Sequence, residues 1–199
     1  MSEDHYFTAD PSAPFERETF TCEVWGHELT LVSGAGVFSR GHLDHATAVL
    51  FGETGPPAQG QFLDLGCGYG VIGLAIAKAV PLANVTAVDV NERALALANE
   101  NARAMDVEGR FVACLPEAVP GDATYDEIWS NPPIRIGKAA LHELLLTWLA
   151  RLRPDGRMVM VVGKNLGADS LQRWLGEQGY PTERLASAKG FRVLETRRA

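Results

Sequence analysis

Strand and helix patterns alternate along this chain from residue 61 onward, and no other feature restricts its fold so strongly. Apolar runs at 62–65, 85–88, 110–114, 125–129 and 158–162 have the length and composition of strands. Between them, 71–80, 91–105, 138–152 and 168–178 carry helical spacing. Asn91 and Glu92 supply a cap and a first-turn acid for the second helix, and Pro154, Asp155 and Gly156 stop the third. The run at 158–162 has no polar interruption, as burial on both faces requires. Two closing strands, 183–187 and 191–196, turn at Ala188, Lys189 and Gly190. Such alternation predicts an α/β fold. Its sheet is doubly wound and mostly parallel, with helices on both faces and an antiparallel hairpin at the end.

Residues 1–60 follow another pattern and are read as an N-terminal extension ahead of a domain at 61–199. Pro11 and Pro14 mark 1–18 as a loosely ordered arm. Alternation at 19–24 and 28–32, linked by Trp25, Gly26 and His27, predicts a hairpin with Trp25 exposed at its tip for RNA or a second subunit. A short helix follows at 43–51 with Asp44 near its start, then a linker at 52–60 holding Pro56 and Pro57. At 199 residues and 46% hydrophobic, the chain can bury a core without staples, and disorder is excluded. No apolar run approaches the roughly 18–20 residues of a membrane helix, and the acidic start does not read as a secretory leader. Cys22, Cys67 and Cys114 fit neither a disulfide framework nor a zinc pattern, so a reducing cytoplasm and no metal are expected. Net charge is −7 but uneven. Residues 1–60 carry −7, 61–130 carry −6 and 131–199 carry +6. The basic last third reads either as a surface for a polyanion or as a solvated face.

The turn from the first sheet strand into the first helix is Asp64-Leu65-Gly66-Cys67-Gly68-Tyr69-Gly70-Val71-Ile72-Gly73. Glycines there let a backbone approach a ligand beyond the carboxyl end of the strand. Asp89 ends the next strand, where a carboxylate can accept both hydroxyls of a ribose. Two cofactors fit. Gly68, Gly70 and Gly73 match a dinucleotide fingerprint, which points to a nicotinamide-dependent oxidoreductase. Asp64 opposes that reading, because a carboxylate repels a pyrophosphate and attracts an ammonium. S-adenosylmethionine carries an ammonium and a ribose and has no phosphate.

After the strand at 125–129 comes Ser130-Asn131-Pro132-Pro133-Ile134. Two prolines fix the backbone and remove two donors, leaving a corner rich in acceptors. Such a corner can accept both hydrogens of a planar amino group and aim the nitrogen lone pair at a methyl group. Attack then needs positioning and electrostatics more than a strong base.

The glycine turn resembles motif I of class I methyltransferases, and Val88-Asp89-Val90 resembles their ribose-binding motif. The resemblance implies a Rossmann-like seven-stranded sheet of order 3-2-1-4-5-7-6 with the last strand antiparallel. It implies S-adenosylmethionine held by Asp64, Gly66, Cys67, Gly68, Gly70, Asp89, Val90, Asn131 and the adenine-side Leu115. Asn131 to Ile134 resembles the Asn-Pro-Pro-aromatic motif of methyltransferases acting on amino or amide nitrogen. That implies catalytic roles for Asn131, Pro132, Pro133 and Ile134, the last departing from the usual aromatic. The segments 131–138 and 36–44 resemble the small-methyltransferase branch related to ribosomal RNA guanine-N2 methyltransferases. This branch implies a nucleic-acid substrate. Arg135 and Lys138, beside the loop in the basic last third, read either as its phosphate contacts or as a solvated face, and Phe38 as the stacking surface that Ile134 lacks. Adenine N6, a glutamine amide and a small molecule stay open as acceptors, as does a non-catalytic RNA-binding module.

Overall fold

The computed structural model describes residues 16–198, so most of the arm expected at 1–18 lies outside the described residues. The hairpin forms: β1 (Arg17–Val24) pairs antiparallel with β2 (His27–Gly34). Its tight turn holds Trp25 at φ 51° and Gly26 at φ 80°, the left-handed backbone that short hairpin loops demand. Trp25 is not the exposed tip expected from sequence. Its indole N–H donates to the carbonyls of Phe51 (3.2 Å) and Thr54 (2.9 Å), and its ring lies edge-on to Phe51 and Trp129. These contacts offset the strained backbone and brace the hairpin against α1 (His45–Glu53) and the sheet.

The rest of the chain lays down β3 (Gln61–Leu65), α2 (Val71–Ala79), β4 (Asn84–Val88), α3 (Glu92–Ala104) and β5 (Phe111–Cys114). Then come β6 (Tyr125–Ser130), α4 (Lys138–Leu149), β7 (Leu152–Gly163), α5 (Ala168–Glu177), β8 (Thr182–Ala188) and β9 (Phe191–Arg197). The seven-stranded sheet has the order β5-β4-β3-β6-β7-β9-β8. Counted from β3, that is the expected 3-2-1-4-5-7-6, with β9 antiparallel to both neighbours. Most boundaries fall within two residues of those expected, and one differs by more. The helix expected to reach residue 152 ends at Leu149, and β7 starts at Leu152 rather than 158. Leu152 already pairs with Tyr125, after which the register slips and Asp155 adopts φ 64°. The Pro-Asp-Gly segment is therefore a kink inside a strand.

Period-two alternation divides the core into two layers. Phe62, Val85, Phe111, Val159 and Val161 face α1, α2 and α3, while Leu63, Leu65, Ile128, Met158 and Met160 face α4 and α5. Val24, Leu29, Leu31 and Leu50 belong to the first layer. The 60/61 boundary thus marks where the sheet begins, not the edge of a separate core. Each fully buried leucine contributes roughly 1.5–3 kcal/mol, so the extension stabilises one face of the sheet. Among the described residues no helix is long and apolar enough to cross a membrane.

Candidate active site

A cavity of about 570 Å³ opens beyond the carboxyl ends of β3, β4, β6 and β7, the place where sheets of this topology bind ligands. One wall is Gly66 to Gly68 with Asp89, Val90 and Asn91. The opposite wall is Asn131 to Arg135. The extension supplies the roof through Phe38, Asp44 and Thr47.

On the first wall, Asp89 organises the loop. One carboxylate oxygen accepts the Gly68 N–H and the other the Asn91 N–H, both at 2.9 Å, and the group lines the cavity. Burial raises the Asp89 pKa, while the Asn91, Gly68 and Val90 N–H groups pull it down. Asn91 caps α3 and donates to the Gly36 carbonyl at 2.7 Å, tying the cap to the extension.

Asp64 departs from its expected direct contact with a ligand. Alternation turns it to the same face as Phe62, under α2, where it is fully buried and off the cavity wall. Its Oδ2 accepts the Gly73 N–H at 2.8 Å, and its Oδ1 is buried with no hydrogen bond. Burial, with help from the Asp89 charge and against the Gly73 N–H, raises its pKa to about 7. Gly70 is also off the wall. At φ 91°, an added Cβ there would meet Ala98 at 3.0 Å, so its role is to pack the turn. Gly73 packs the helix onto the sheet in the same way, since a Cβ there would lie 2.9 Å from Phe111 and Val85. Of the dinucleotide fingerprint, only Gly68 faces the cavity. Leu115 packs against the core and its neighbour Pro116 takes the place on the wall. Cys67 lines the cavity, but burial pushes its thiol pKa up, which suits a space-filling role and not a nucleophile.

The acceptor corner is built across the chain. Asn131 Nδ2 donates to Asp44 Oδ2 at 2.9 Å and to Thr47 Oγ1 at 3.1 Å. A carboxylate only accepts, which fixes which end of the amide faces it. Both amide hydrogens are engaged, and Oδ1 is left open without a partner among the described residues. Asp44 Oδ2 also accepts the Thr47 N–H at 3.0 Å as the cap of α1, so one carboxylate orders both helix and asparagine. The Pro132 and Pro133 carbonyls accept from Ile134 and Ile136 in a tight turn, each keeping one lone pair. Ile134 and Phe38 both line the cavity. Arg135 stands on the wall, whereas Lys138 is exposed at the start of α4 and outside it.

Comparison with known proteins agrees with this geometry. Residues 28–195 match the family described as the methyltransferase small domain. The chain belongs to that family. It is 31% identical to the uncharacterised protein YbxB of Bacillus subtilis, with all of both chains covered. It is 34% identical to ribosomal RNA small subunit methyltransferase C of Ectopseudomonas mendocina, over 96% of this chain and 57% of that one. Among solved structures it superposes, with a TM-score of 0.79 and 27% identity, on a T. thermophilus 16S rRNA N2 methyltransferase (RsmC) in complex with AdoMet and guanosine. That likeness covers 96% of this chain and 53% of the other. The chain therefore spans somewhat more than half the length of these ribosomal RNA methyltransferases and the whole length of the Bacillus relative.

Within this small-methyltransferase frame, Asp44 and Thr47 are site residues that the sequence does not announce. Asp44 is legible there as a helix start and as the end of the 36–44 segment, but not as the partner of Asn131. Its partner lies 87 positions away, and no local pattern signals that contact. Asn91 reads as a cap alone in the sequence, yet it also lies on the wall.

Proposed function

We propose that the protein is an S-adenosylmethionine-dependent N-methyltransferase whose acceptor is an exocyclic amino group, guanine N2 of ribosomal RNA first among them. The observation that carries this reading is the clamped amide of Asn131, with its carbonyl open at a cavity whose far wall is ordered by Asp89.

The residues fit the cofactor by charge. Among the described residues, the cavity wall holds Asp44 and Asp89 against the single cation Arg135, and Asp64 is buried behind it. Such a site favours a sulfonium and an ammonium over a pyrophosphate, which also counts against a nicotinamide cofactor. Asp89 would hold the ribose hydroxyls, Gly66 to Gly68 would lie against the amino-acid portion, and Val90 and Pro116 would flank the adenine. Asp64, with its pKa of about 7, would add negative charge behind the wall only as it ionises. When bound, S-adenosylmethionine supplies an electrophilic methyl group.

Asn131 Oδ1 accepts one hydrogen of the target amino group, and the free lone pair of the Pro132 carbonyl accepts the other. Both bonds draw the nitrogen lone pair away from the ring and fix its direction. As positive charge develops on nitrogen, the Asn131 carbonyl, backed by the Asp44 carboxylate, stabilises it without reorganising. Phe38 and Ile134 offer apolar surface to the target's ring, so Phe38 supplies the stacking face that Ile134 lacks. Thr47 and the prolines keep the corner rigid.

Calorimetric titration tests the cofactor half: S-adenosylhomocysteine binds and NAD does not. Methyl transfer from labelled cofactor to undermethylated ribosomal RNA tests the acceptor half. Transfer that persists in Asn131→Ala would overturn the assignment, and label found on a glutamine amide would redirect the substrate. The ribosomal RNA methyltransferases named above support the RNA reading through similarity.

A further inference from the structure

Residues 131–199 hold twelve of the eighteen basic side chains, and the structure divides them sharply. Arg153 pairs with Asp126, Arg157 with Glu127 and Glu195, Arg184 and Arg192 with Asp169, and Arg197 with Glu195. Arg151 donates to the Pro120 carbonyl and lies over Trp148, and Arg198 donates to the Ala150 and Leu152 carbonyls. These seven arginines serve the fold. The other five cations, Arg135, Lys138, Lys164, Arg173 and Lys189, have no ion-pair partner among the described residues.

Of the five, Arg135 lines the cavity, and Lys164 and Lys189 lie within two residues of others that do. Arg135 is on its wall, and so are Gly163, Leu166 and Phe191. Lys164 and Lys189 sit on the two turns that carry those residues, and the turns are joined by the Lys164 N–H to the Gly190 carbonyl at 2.8 Å. The same rim exposes Leu166 (56%) and Phe38 (45%). A protein of net charge −7 thus gathers unpaired cations and exposed apolar side chains at one opening.

We propose that this rim docks single-stranded RNA, with Arg135, Lys164 and Lys189 holding phosphates beside one nucleotide whose base enters the cavity past Phe38 and Leu166. The inference rests on the RNA reading above and extends it to the groups that grip the strand. The cavity requires an unstacked base: the Asn131 carbonyl lies on its wall, out of reach of a base that stays in a duplex stack. Cations on separate loops around an opening suit a strand that bends and splays, whereas a duplex asks for a regular stripe.

The test is binding of a single-stranded RNA oligonucleotide to the full chain saturated with S-adenosylhomocysteine, followed across salt concentration. Each phosphate contact on a single strand contributes about 0.7 to the slope of log affinity against log salt. Lys164→Ala/Lys189→Ala should therefore lower the slope by about 1.4 and weaken binding about tenfold near 0.15 M salt. Its affinity for S-adenosylhomocysteine should match the wild type. Lys78→Ala/Arg103→Ala removes the same charge from exposed positions away from the rim and should leave the slope unchanged. An unchanged slope in the rim variant, an equal loss in the control, or an acidic peptide competing as well as RNA would overturn the proposal. Wild-type protein that transfers methyl to RNA while the rim variant binds normally would sink the rim alone. Wild-type protein that methylates no RNA would remove the RNA reading and the rim with it.

Discussion

The two walls of the cavity are built by different means. The Asp89 wall is mostly local: the bonds on its carboxylate join residues 21 and 2 apart in the chain, the Asp64 bond behind it spans 9, and the single long tie on Asn91 reaches Gly36, 55 positions away. The Asn131 wall is assembled over 87 and 84 positions, from the extension and the end of β6. A local wall can be recognised from a short motif and resists change elsewhere. A long-range wall depends on the whole fold, and a relative can alter it without touching its own motif. Cofactor use and acceptor choice are thereby separable in one small domain.

Substitutions at Asn131, Asp89 and Asp44 test that separation, in order of expected effect. Asn131→Ala removes the acceptor carbonyl and should lower kcat about 100- to 1,000-fold, with calorimetric affinity for S-adenosylhomocysteine unchanged. Asp89→Ala should do the opposite. It should weaken S-adenosylhomocysteine about 100-fold or more, because two charge-assisted bonds are lost at roughly 1.5–3 kcal/mol each. If either variant damages both functions equally, the walls are not independent.

Asp44 sharpens the comparison. Asp44→Ala frees the Asn131 amide and should lower kcat about 10- to 100-fold, the cost of one charged hydrogen bond. Asp44→Asn keeps an oxygen for both Thr47 and Asn131 and loses only the charge, so it should fall between the wild type and Asp44→Ala. Both variants should weaken the cofactor far less than Asp89→Ala does, because they remove a wall charge and none of the bonds that order the Gly68 loop. Thermal unfolding separates this effect from loss of the α1 cap, since Asn caps as well as Asp.

The last prediction concerns stability and not activity. Asp64 has a folded-state pKa of about 7 because it is buried, against roughly 3.9 when unfolded. Between those values the folded protein binds the extra proton, so stability should fall as pH rises through that window. Asp64→Asn removes this dependence. Its stability relative to the wild type should grow from pH 4 to pH 8 by at most about 4 kcal/mol, read from urea unfolding. A pH-independent difference would show that Asp64 ionises freely.

The same division governs what the sequence reveals. The strand order, the layers and the Asp89 wall follow from period and from short motifs, and they appear in the structure as expected. Asp64 lies elsewhere than its motif suggests because side-chain alternation outweighs the motif: a residue two after Phe62 must share its face. The bonds from Asn131 to Asp44 and Thr47 are invisible in the sequence because contacts over such separations leave no local pattern. Trp25 is covered because a hairpin tip is exposed only when nothing folds over it, and here α1 does. The basic last third looks like one surface, but pairing with acids along β6, β9 and α5 leaves mainly its loop-borne cations free.

The most direct measurement is mass mapping of ribosomal RNA after incubation with labelled S-adenosylmethionine and either the wild type or Asn131→Ala. The proposed chemistry predicts label on an exocyclic amino nitrogen, at guanine N2, with the wild type, and its loss in the variant while S-adenosylhomocysteine still binds. Label on a ring nitrogen or a ribose oxygen, or undiminished transfer by Asn131→Ala, would contradict it.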